Sequence, residues 1–216
     1  MIKFENVTCS FVSDPGVIDA SFEVNRGEFV CIIGPTGAGK TTLLRLVYMD
    51  IFPEEGRVTV EKFSSSKIKR RHIPHLRRKV GMVFQEFELL EDRNVFENVA
   101  IPLRVIGMKT RDIRQRVNQV LEELGMEGKR NHVPSELSGG EQQIISLARA
   151  IVKEPMVVLA DEPTGNLDPV SSFKIVTLLE QINKNGTAVL MASHDYNLIK
   201  DRGHRIMRIV DGYVSG

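Results

Sequence analysis

The sequence predicts an α/β fold in which a largely parallel sheet is covered by helices. Short apolar runs of strand length alternate with segments of helical spacing in the last third of the chain. A glycine-rich turn, residues 34–41 (GPTGAGKT), follows one apolar run, and two adjacent carboxylates, Asp161 and Glu162, end another. Because the carboxyl ends of parallel strands meet at one sheet edge, we expect these groups to share a site.

The composition is that of one soluble domain. The chain has 216 residues, of which 42% are hydrophobic and 26% charged. Its 29 Lys and Arg residues nearly balance its 28 Asp and Glu residues. Near neutrality does not demand nucleic acid as a partner, and we expect none. We find no secretory leader and no run of membrane-spanning length. Cys9 and Cys31 sit among apolar neighbours, so buried, reduced thiols in a cytosolic protein are favoured over a disulfide.

The N-terminal part is predicted to be β-rich. Strands are expected over residues 1–9, 21–24 and 28–33, with a turn at 25–27. The glycine-rich turn then opens a helix that carries Leu43, Leu44 and Val47 on one face. Further strands are predicted at the segments 57–60 and 79–85, the second ending in Gln85.

Between these two strands lies a basic stretch, residues 67–79, interrupted by Pro74. It lacks interleaved aromatic residues, which disfavours a nucleic-acid surface. A solvated face, or a face near anionic lipid headgroups, is the favoured interpretation.

The middle of the chain is predicted to be an inserted helical lobe, and the end returns to alternating strands and helices. Helical spacing marks residues 94–100 and 110–124, and Gly125 is a plausible helix end. Another helix follows Gly140. The remaining predicted elements are strand 156–160, helix 170–182 and strand 187–192.

The glycine-rich turn has the residues that a phosphate site requires. Glycines let backbone N–H groups converge on a phosphate where Cβ atoms would block the approach, and the next helix adds the positive end of its dipole. Lys40 is placed to reach the β- and γ-phosphates, and the Thr41 hydroxyl to ligate Mg²⁺. The alternative is a chance turn before a core helix.

Four side chains are candidates for the chemistry at this sheet edge. Asp161 can hold Mg²⁺, and Glu162 can polarise an attacking water as general base. Gln85 can contact the metal or the water, and His194 follows the strand 187–192 and can hydrogen-bond a phosphate. Taken singly, solvated carboxylates, a surface glutamine and a lone histidine are the plainer interpretations.

A second glycine-rich turn, Leu137-Ser138-Gly139-Gly140, also opens a helix. Ser138 is a candidate N-cap, but capping leaves some N–H groups free to bind an anion. Two phosphate-type turns with one set of carboxylates predict a nucleotide shared between two copies of the chain.

These motifs, in this order, resemble those of the ATP-binding-cassette (ABC) ATPases over essentially the whole chain. The match comprises residues 34–41 as Walker A, Gln85 as Q-loop, 137–142 as signature, 156–162 as Walker B, 166–168 as D-loop and His194 as switch histidine. Walker A alone is shared with other nucleotide-binding families, whereas the signature is not.

The resemblance implies a fold and a set of roles. The fold is a P-loop NTPase core (1–85 and 156–216) with an antiparallel N-terminal β-subdomain and a helical subdomain at 86–155. Glu162, His194, Gln85 and Lys40 would be catalytic, and Thr41, Gln85 and Asp161 would hold Mg²⁺. ATP would be bound by Phe11, Gly34, Pro35, Thr36, Gly37, Ala38, Gly39, Lys40, Thr41 and Thr42. A second copy would complete the site with Ser138, Gly139, Gly140 and Asp168, giving a homodimer on ATP binding.

Within the family, the segments 73–78, 84–90 and 92–100 resemble the cell-division ATPases. This implies a peripheral subunit on the cytoplasmic face of the bacterial inner membrane that drives an integral membrane partner and regulates cell-wall hydrolysis. Lipoprotein-release and macrolide-export ATPases share residues 161–168, so an ATPase of that type is the alternative. One departure is Ile144, where the family usually has arginine.

Overall fold

In the computed structural model, which describes residues 1–11 and 14–216, ten strands form one sheet. The strands are β1 (Ile2–Phe11), β2 (Asp14–Val24), β3 (Phe29–Ile33), β4 (Glu55–Val60), β5 (Phe63–Ser64), β6 (Val80–Val83), β7 (Val157–Asp161), β8 (Ala188–Ser193), β9 (Arg205–Val210) and β10 (Tyr213–Ser215). The helices are α1 (Lys40–Val47), α2 (Ile73–Arg77), α3 (Val95–Val105), α4 (Thr110–Glu123), α5 (Gly139–Ile151), α6 (Pro169–Lys184) and α7 (Tyr196–Ile199). Across the sheet the order is β5-β4-β1-β2-β10-β9-β3-β8-β7-β6.

The sheet has an antiparallel part and a parallel part. β1 pairs antiparallel with β2 and β4, and β4 with β5. β9, β3, β8, β7 and β6 pair parallel with one another in that order, with every residue of β3 and β8 buried. β10 connects the two parts, since it pairs parallel with β2 and antiparallel with β9. The predicted α/β class, with a mostly parallel core and an antiparallel N-terminal region, is therefore confirmed.

Two apolar cores lie on the two faces of the sheet. On β3, Phe29, Cys31 and Ile33 belong to the core shared with α3, α4, α5 and α6, whereas Val30 and Ile32 belong to the core shared with α1. This alternation follows from the two-residue period of a strand. Both cysteines are free and buried, as predicted, and burial raises the pKa of the Cys31 thiol to about 12.

The helical segment follows the prediction with shifted bounds. Asn94 caps α3 by accepting a hydrogen bond from the Glu97 N–H at 2.9 Å, but the helix continues through Pro102 to Val105, beyond the predicted end at residue 100. Buried Leu103 packs in the core and offsets the hydrogen bond that proline cannot donate. One apolar cluster runs from the sheet into this segment, so the division at 86–155 stays a prediction.

Several bounds differ from expectation, and five of the elements named above were not predicted. β2 begins well before residue 21, and β6 ends at Val83, which leaves Gln85 in the following loop instead of at the strand end. The unpredicted elements are β5, α2, α7, β9 and β10. Within the described ranges, no helix combines the length and apolarity needed to cross a bilayer.

Asn98 anchors the loop that precedes α3. Its side chain is fully buried, accepts from the Leu90 N–H at 2.8 Å, and donates to the carbonyls of Leu90, Arg93 and Asn94 at 3.0–3.1 Å. Buried backbone groups that lose such a partner keep the full cost of leaving water.

We therefore expect Asn98→Ala to lower the free energy of unfolding by about 2–4 kcal/mol. Asn197→Ala, at an exposed position on α7, is the control and should change it by less than about 0.5 kcal/mol. Urea unfolding measures both values, and equal values would contradict the anchoring role.

Candidate functional site

The glycine-rich loop joins β3 to α1 and packs closely against neighbouring backbone. A Cβ at Gly34 would stand 2.3 Å from the Ile209 carbonyl oxygen, and one at Gly39 would stand 1.9 Å from that of Gly16. Gly39 also has a φ of 102°, a conformation that other residues rarely adopt. Glycine is therefore required at both ends of the loop, where the chain turns from the strand into the helix.

Lys40, the first residue of α1, extends its side chain back along this loop. The residue is 5% exposed, and its Nζ donates to the carbonyls of Gly34 and Pro35 at 2.8 and 2.9 Å. The same Nζ lies 3.1 Å from Glu162 Oε1. These three contacts match the three protons of an ammonium group.

Asp161 is the last residue of β7 and reaches the helix across the sheet edge. Its Oδ1 accepts a hydrogen bond from the Thr41 hydroxyl at 3.2 Å. Burial, and then the charge of Glu162, raise the pKa of the Asp161 carboxyl, against the opposing effect of Thr41. A divalent cation here would favour the ionised carboxylate, since metal ligands must be deprotonated.

Glu162 lies where β7 turns away from the sheet. Its φ of 44° is unusual for a residue with a side chain, and its N–H donates to the Ala192 carbonyl at 3.0 Å. Its Oε2 lies 2.9 Å from His194 Nδ1 and accepts from the His194 N–H at 3.2 Å. When Glu162 is ionised, its oxygens only accept, so Nδ1 carries the proton and Nε2 is left free.

Lys40, Glu162 and His194 line a cavity of about 290 Å³. Its lining residues are Thr36, Gly37, Gly39, Lys40, Thr41, Thr42, Gln85, Glu162 and His194. Of the other residues predicted to act in this copy, Gly34, Pro35 and Asp161 contact lining side chains, and Ala38 is a buried residue of the loop. Gln85 approaches the loop that follows Glu162: a Cβ at Gly165 would be 3.4 Å from Nε2 of Gln85.

Phe11 lies beside the base of the loop and does not line the cavity. It ends β1, is 43% exposed, and its ring would be 3.4 Å from a Cβ at Gly16, the residue whose carbonyl Gly39 approaches. An exposed ring beside the loop is accessible for stacking on a planar base.

The second glycine-rich turn is absent from the cavity lining and faces outward. Exposed Ser138 caps α5 through a reciprocal capping box with Glu141, and Glu141 pairs with Lys129 at 3.1 Å. A Cβ at Gly140 would stand 2.7 Å from Ser171 Oγ on α6. A Cβ at Gly139 would stand 3.6 Å from the side chain of Leu167.

Asp168 lies next to this turn in space and is also exposed. It caps α6 by accepting from the Val170 and Ser171 N–H groups at 2.9 and 3.0 Å. The hydrogen bonds from Ser171 hold the pKa of the Asp168 carboxyl below its usual range. The four residues predicted to act on a second copy thus lie together outside the cavity of their own chain, with Ser138 and Asp168 exposed and Gly139 and Gly140 half-buried.

Two residues that the sequence did not single out connect this group to the cavity. Gln143 on α5 is fully buried, and its Nε2 donates to the carbonyls of Phe84 and Pro163 at 3.3 and 2.8 Å. Each carbonyl belongs to a neighbour of a cavity residue, Gln85 or Glu162. Arg149 donates to the carbonyls of Phe87 and Glu88 in the loop after Gln85. The hydrogen bonds of Gln143 and Arg149 join residues 20 to 62 positions apart in the sequence, so no local sequence pattern predicts them.

The donor set suits a small, hard cation bound together with phosphate. In the described part of the chain, no group of three or more His, Cys, Asp and Glu residues could hold a metal by itself. Thr41 and Asp161 place two side-chain oxygen atoms 3.2 Å apart beside the cavity, where a cation could use both. Mg²⁺ is typically bound this way, through one or two carboxylates, waters and substrate phosphates.

Residues 17–165 match the sequence model of the family described as ABC transporter. The chain is 47% identical to the cell division ATP-binding protein FtsE of Mycobacterium tuberculosis over 97% of its own length and 92% of that protein. It is 43% identical to FtsE of Escherichia coli over 100% of its length and 98% of that protein.

Solved structures of ATP-binding cassettes share the fold. A dimeric structure of the cassette MJ0796, described as a post-hydrolysis state bound to ADP and Pi, superposes with a TM-score of 0.88 at 34% identity. It covers 100% of this chain and 97% of that one. CbiO1 of Clostridium perfringens, part of the complex cbiONQ, gives a TM-score of 0.90 at 26% identity and covers 100% and 86%.

We expect Gln143→Met, which keeps the shape of the side chain and removes its donor, to lower kcat for ATP hydrolysis about 10-fold. KM should stay within about twofold, because the Lys40 loop is untouched. Gln119→Met, which removes an amide bonded to Glu123 at the surface at 2.8 Å, is the control. Steady-state phosphate release measures both, and an unchanged kcat in Gln143→Met would show that the link does not position the site.

Proposed function

Because the chain belongs to the ABC transporter family and is an ATPase, we propose that two copies close on ATP and drive an integral membrane partner in bacterial cell division. The observation that carries this proposal is the surface group formed by Ser138, Gly139, Gly140 and Asp168, which lies outside the cavity of its own chain. It presents helix-terminal N–H groups outward from a chain whose own phosphate loop lies elsewhere. A second copy, placed head to tail, would bring this group onto the nucleotide.

The proposed substrate is ATP with Mg²⁺, which stabilises the charge on the phosphates during transfer. The residues proposed to bind ATP are Phe11, Gly34, Pro35, Thr36, Gly37, Ala38, Gly39, Lys40, Thr41 and Thr42. Thr41 and Asp161 would hold the metal, with Gln85 completing the ligand set. The phosphates would be bound by the backbone N–H groups of the loop and by Lys40.

Glu162 is the proposed general base, and in the present arrangement both of its oxygens are engaged. One contacts Lys40 and the other accepts from His194. A bound γ-phosphate would attract the Lys40 ammonium away from Glu162 by its negative charge. Oε1 of Glu162 would then be free to accept a proton from water. His194 would either keep Glu162 oriented or turn to hydrogen-bond the phosphate. In both cases, nucleotide binding would free at least one carboxylate oxygen of Glu162.

The proposed partner resembles FtsX, since the FtsE relatives are cell-division proteins and an ABC ATPase acts on a membrane subunit. A groove of about 320 Å³ offers a contact surface for it, hereafter the α2–α3 groove. It is lined by Tyr48, Ile73, Pro74, Arg77, Arg78, Pro102, Val105, Ile106 and Lys153. Val105 is 69% exposed and its neighbour Ile106 is 37% exposed, so the groove presents adjacent apolar side chains to solvent. An apolar floor with a cationic rim suits a short amphipathic segment with acidic ends. The chain would then be peripheral, on the cytoplasmic face of the inner membrane.

We expect Glu162→Gln to trap an ATP-bound dimer, because the neutral amide cannot activate water. Hydrolysis should fall on the order of 100-fold or more. Light scattering with ATP should show a shift from the 24.3 kDa of one chain to twice that mass. Lys40→Ala, which should lose ATP binding, is the matched control and should stay monomeric. A monomer in Glu162→Gln with bound ATP would contradict the closure mechanism.

We expect Val105→Glu to abolish co-purification with the FtsX-like partner when both are co-expressed, because the new carboxylate would replace an exposed apolar side chain that lines the groove. ATP binding and dimerisation should persist, since Val105 is not a cavity residue. Val210→Glu, at a position 54% exposed on β9, is the control and should co-purify normally. Retained partner binding in Val105→Glu would remove the groove from the proposal and leave the ATPase intact.

A further inference from the structure

The basic segment found in the sequence is not used by the ATP site. Residues 62–79 contain eight Lys or Arg, two His and no carboxylate, in a chain whose net charge is only +1. Most of these side chains are exposed. We call the exposed set the cationic surface: Lys62, Lys67, Lys69, Arg70, Arg71, His72, His75 and Arg78.

The cationic surface carries charge that the protein does not neutralise. Within the described residues, the ion pairs of this segment are those of Arg77 with Asp50 at 3.5 Å and Lys79 with Glu61 at 2.6 Å. Neither Arg77 nor Lys79 belongs to the surface, whose own members form no ion pair there. The folding of α2 and the turn before it therefore concentrates positive charge, and among the described residues the nearby counter-charge is that of Glu61, beside Lys62 at the edge of the surface.

The surface includes a recess large enough for a headgroup. A cavity of about 570 Å³ is lined by Lys62, Phe63, His72, His75, Arg78 and Lys79. Donors approach it from both the β4–β5 turn and α2, and the only carboxylate bonded to a lining residue is Glu61 on Lys79 among the described contacts. A phosphate entering the recess would meet donors without a facing acceptor.

The recess adjoins the α2–α3 groove, which is the surface proposed to contact the membrane partner. Arg78 lines both this recess and the α2–α3 groove, so the two surfaces adjoin across the short helix α2. This orientation rests on the proposed function: if the groove receives a membrane protein, the cationic surface faces the bilayer.

We propose that the cationic surface binds anionic phospholipid headgroups and holds the ATPase against the membrane beside its partner. A bilayer engages one face of a protein, so the near-zero net charge of the chain does not oppose binding. Single-stranded nucleic acid would need exposed aromatic rings. The segment has only Phe63, which is half-buried and has the Lys62 ammonium 5.8 Å from its ring centroid.

Flotation of the full chain with vesicles tests this directly, without nucleotide or partner. Phosphatidylglycerol–phosphatidylcholine vesicles should bind the chain, pure phosphatidylcholine vesicles should not, and binding should weaken as salt rises. Lys67→Gln/Lys69→Gln/Arg70→Gln should weaken partitioning by roughly 10- to 100-fold, as expected for the loss of three charges at an anionic surface.

The matched control removes the same charge elsewhere: Lys174→Gln/Lys184→Gln/Lys200→Gln, at exposed positions on α6 and after α7. It should partition like the unmodified chain. Equal weakening in both triple variants, or no weakening in the first, would overturn the proposal. So would tighter binding to a single-stranded oligonucleotide than to the anionic vesicles at the same salt.

Failure of this proposal is separable from failure of the proposed function. ATP hydrolysis in solution should be unchanged in the Lys67/Lys69/Arg70 variant, which also shows that the variant folds. If the chain floats as expected but does not dimerise on ATP, the lipid surface stands and the closure mechanism falls.

Discussion

The site depends on the alignment of three neighbouring parallel strands. β3 pairs with β8 so that Ile33 faces Ser193, and β8 pairs with β7 so that Ala192 faces Asp161. All three strands therefore end at one level, and the phosphate loop, His194 and the two carboxylates leave the sheet together. A slip of one residue would turn the buried side chains to the wrong core. The two apolar cores that fix the register thus also fix the catalytic geometry.

This geometry places charges where water is scarce. Lys40 and Glu162 are buried and pair with each other, while the pKa of Asp161 is raised because burial and a second carboxylate disfavour its charge. Such a cluster contributes little to stability, since desolvation offsets the attraction. Its value is functional: each charge is held at short range with partners that an incoming phosphate and cation can replace.

The sequence predicted those parts that local patterns determine. The alternation of strands and helices, the cap at Ser138 and the loop ending at Lys40 all follow from neighbouring residues. β9 and β10 were missed, although Asp211-Gly212 between them is a recognisable two-residue hairpin turn. β2 and α3 were drawn too short because tertiary packing extends them beyond their strongest local pattern. Gln143 could not be assigned, because its role exists only once distant segments meet.

Gln143 explains how one helix can serve two sites in the proposed dimer. Its helix, α5, begins with the signature residues that face outward, and its amide holds the backbone beside Gln85 and Glu162. A movement of α5 toward the nucleotide of the second copy would therefore pull on the loop and the base of its own site. Arg149 lies six residues further along α5, about one and two-thirds turns, and donates hydrogen bonds to backbone carbonyls of the loop after Gln85. Closure at one site would thus be felt at the other through a rigid element, which gives two ATP molecules a physical means of acting together.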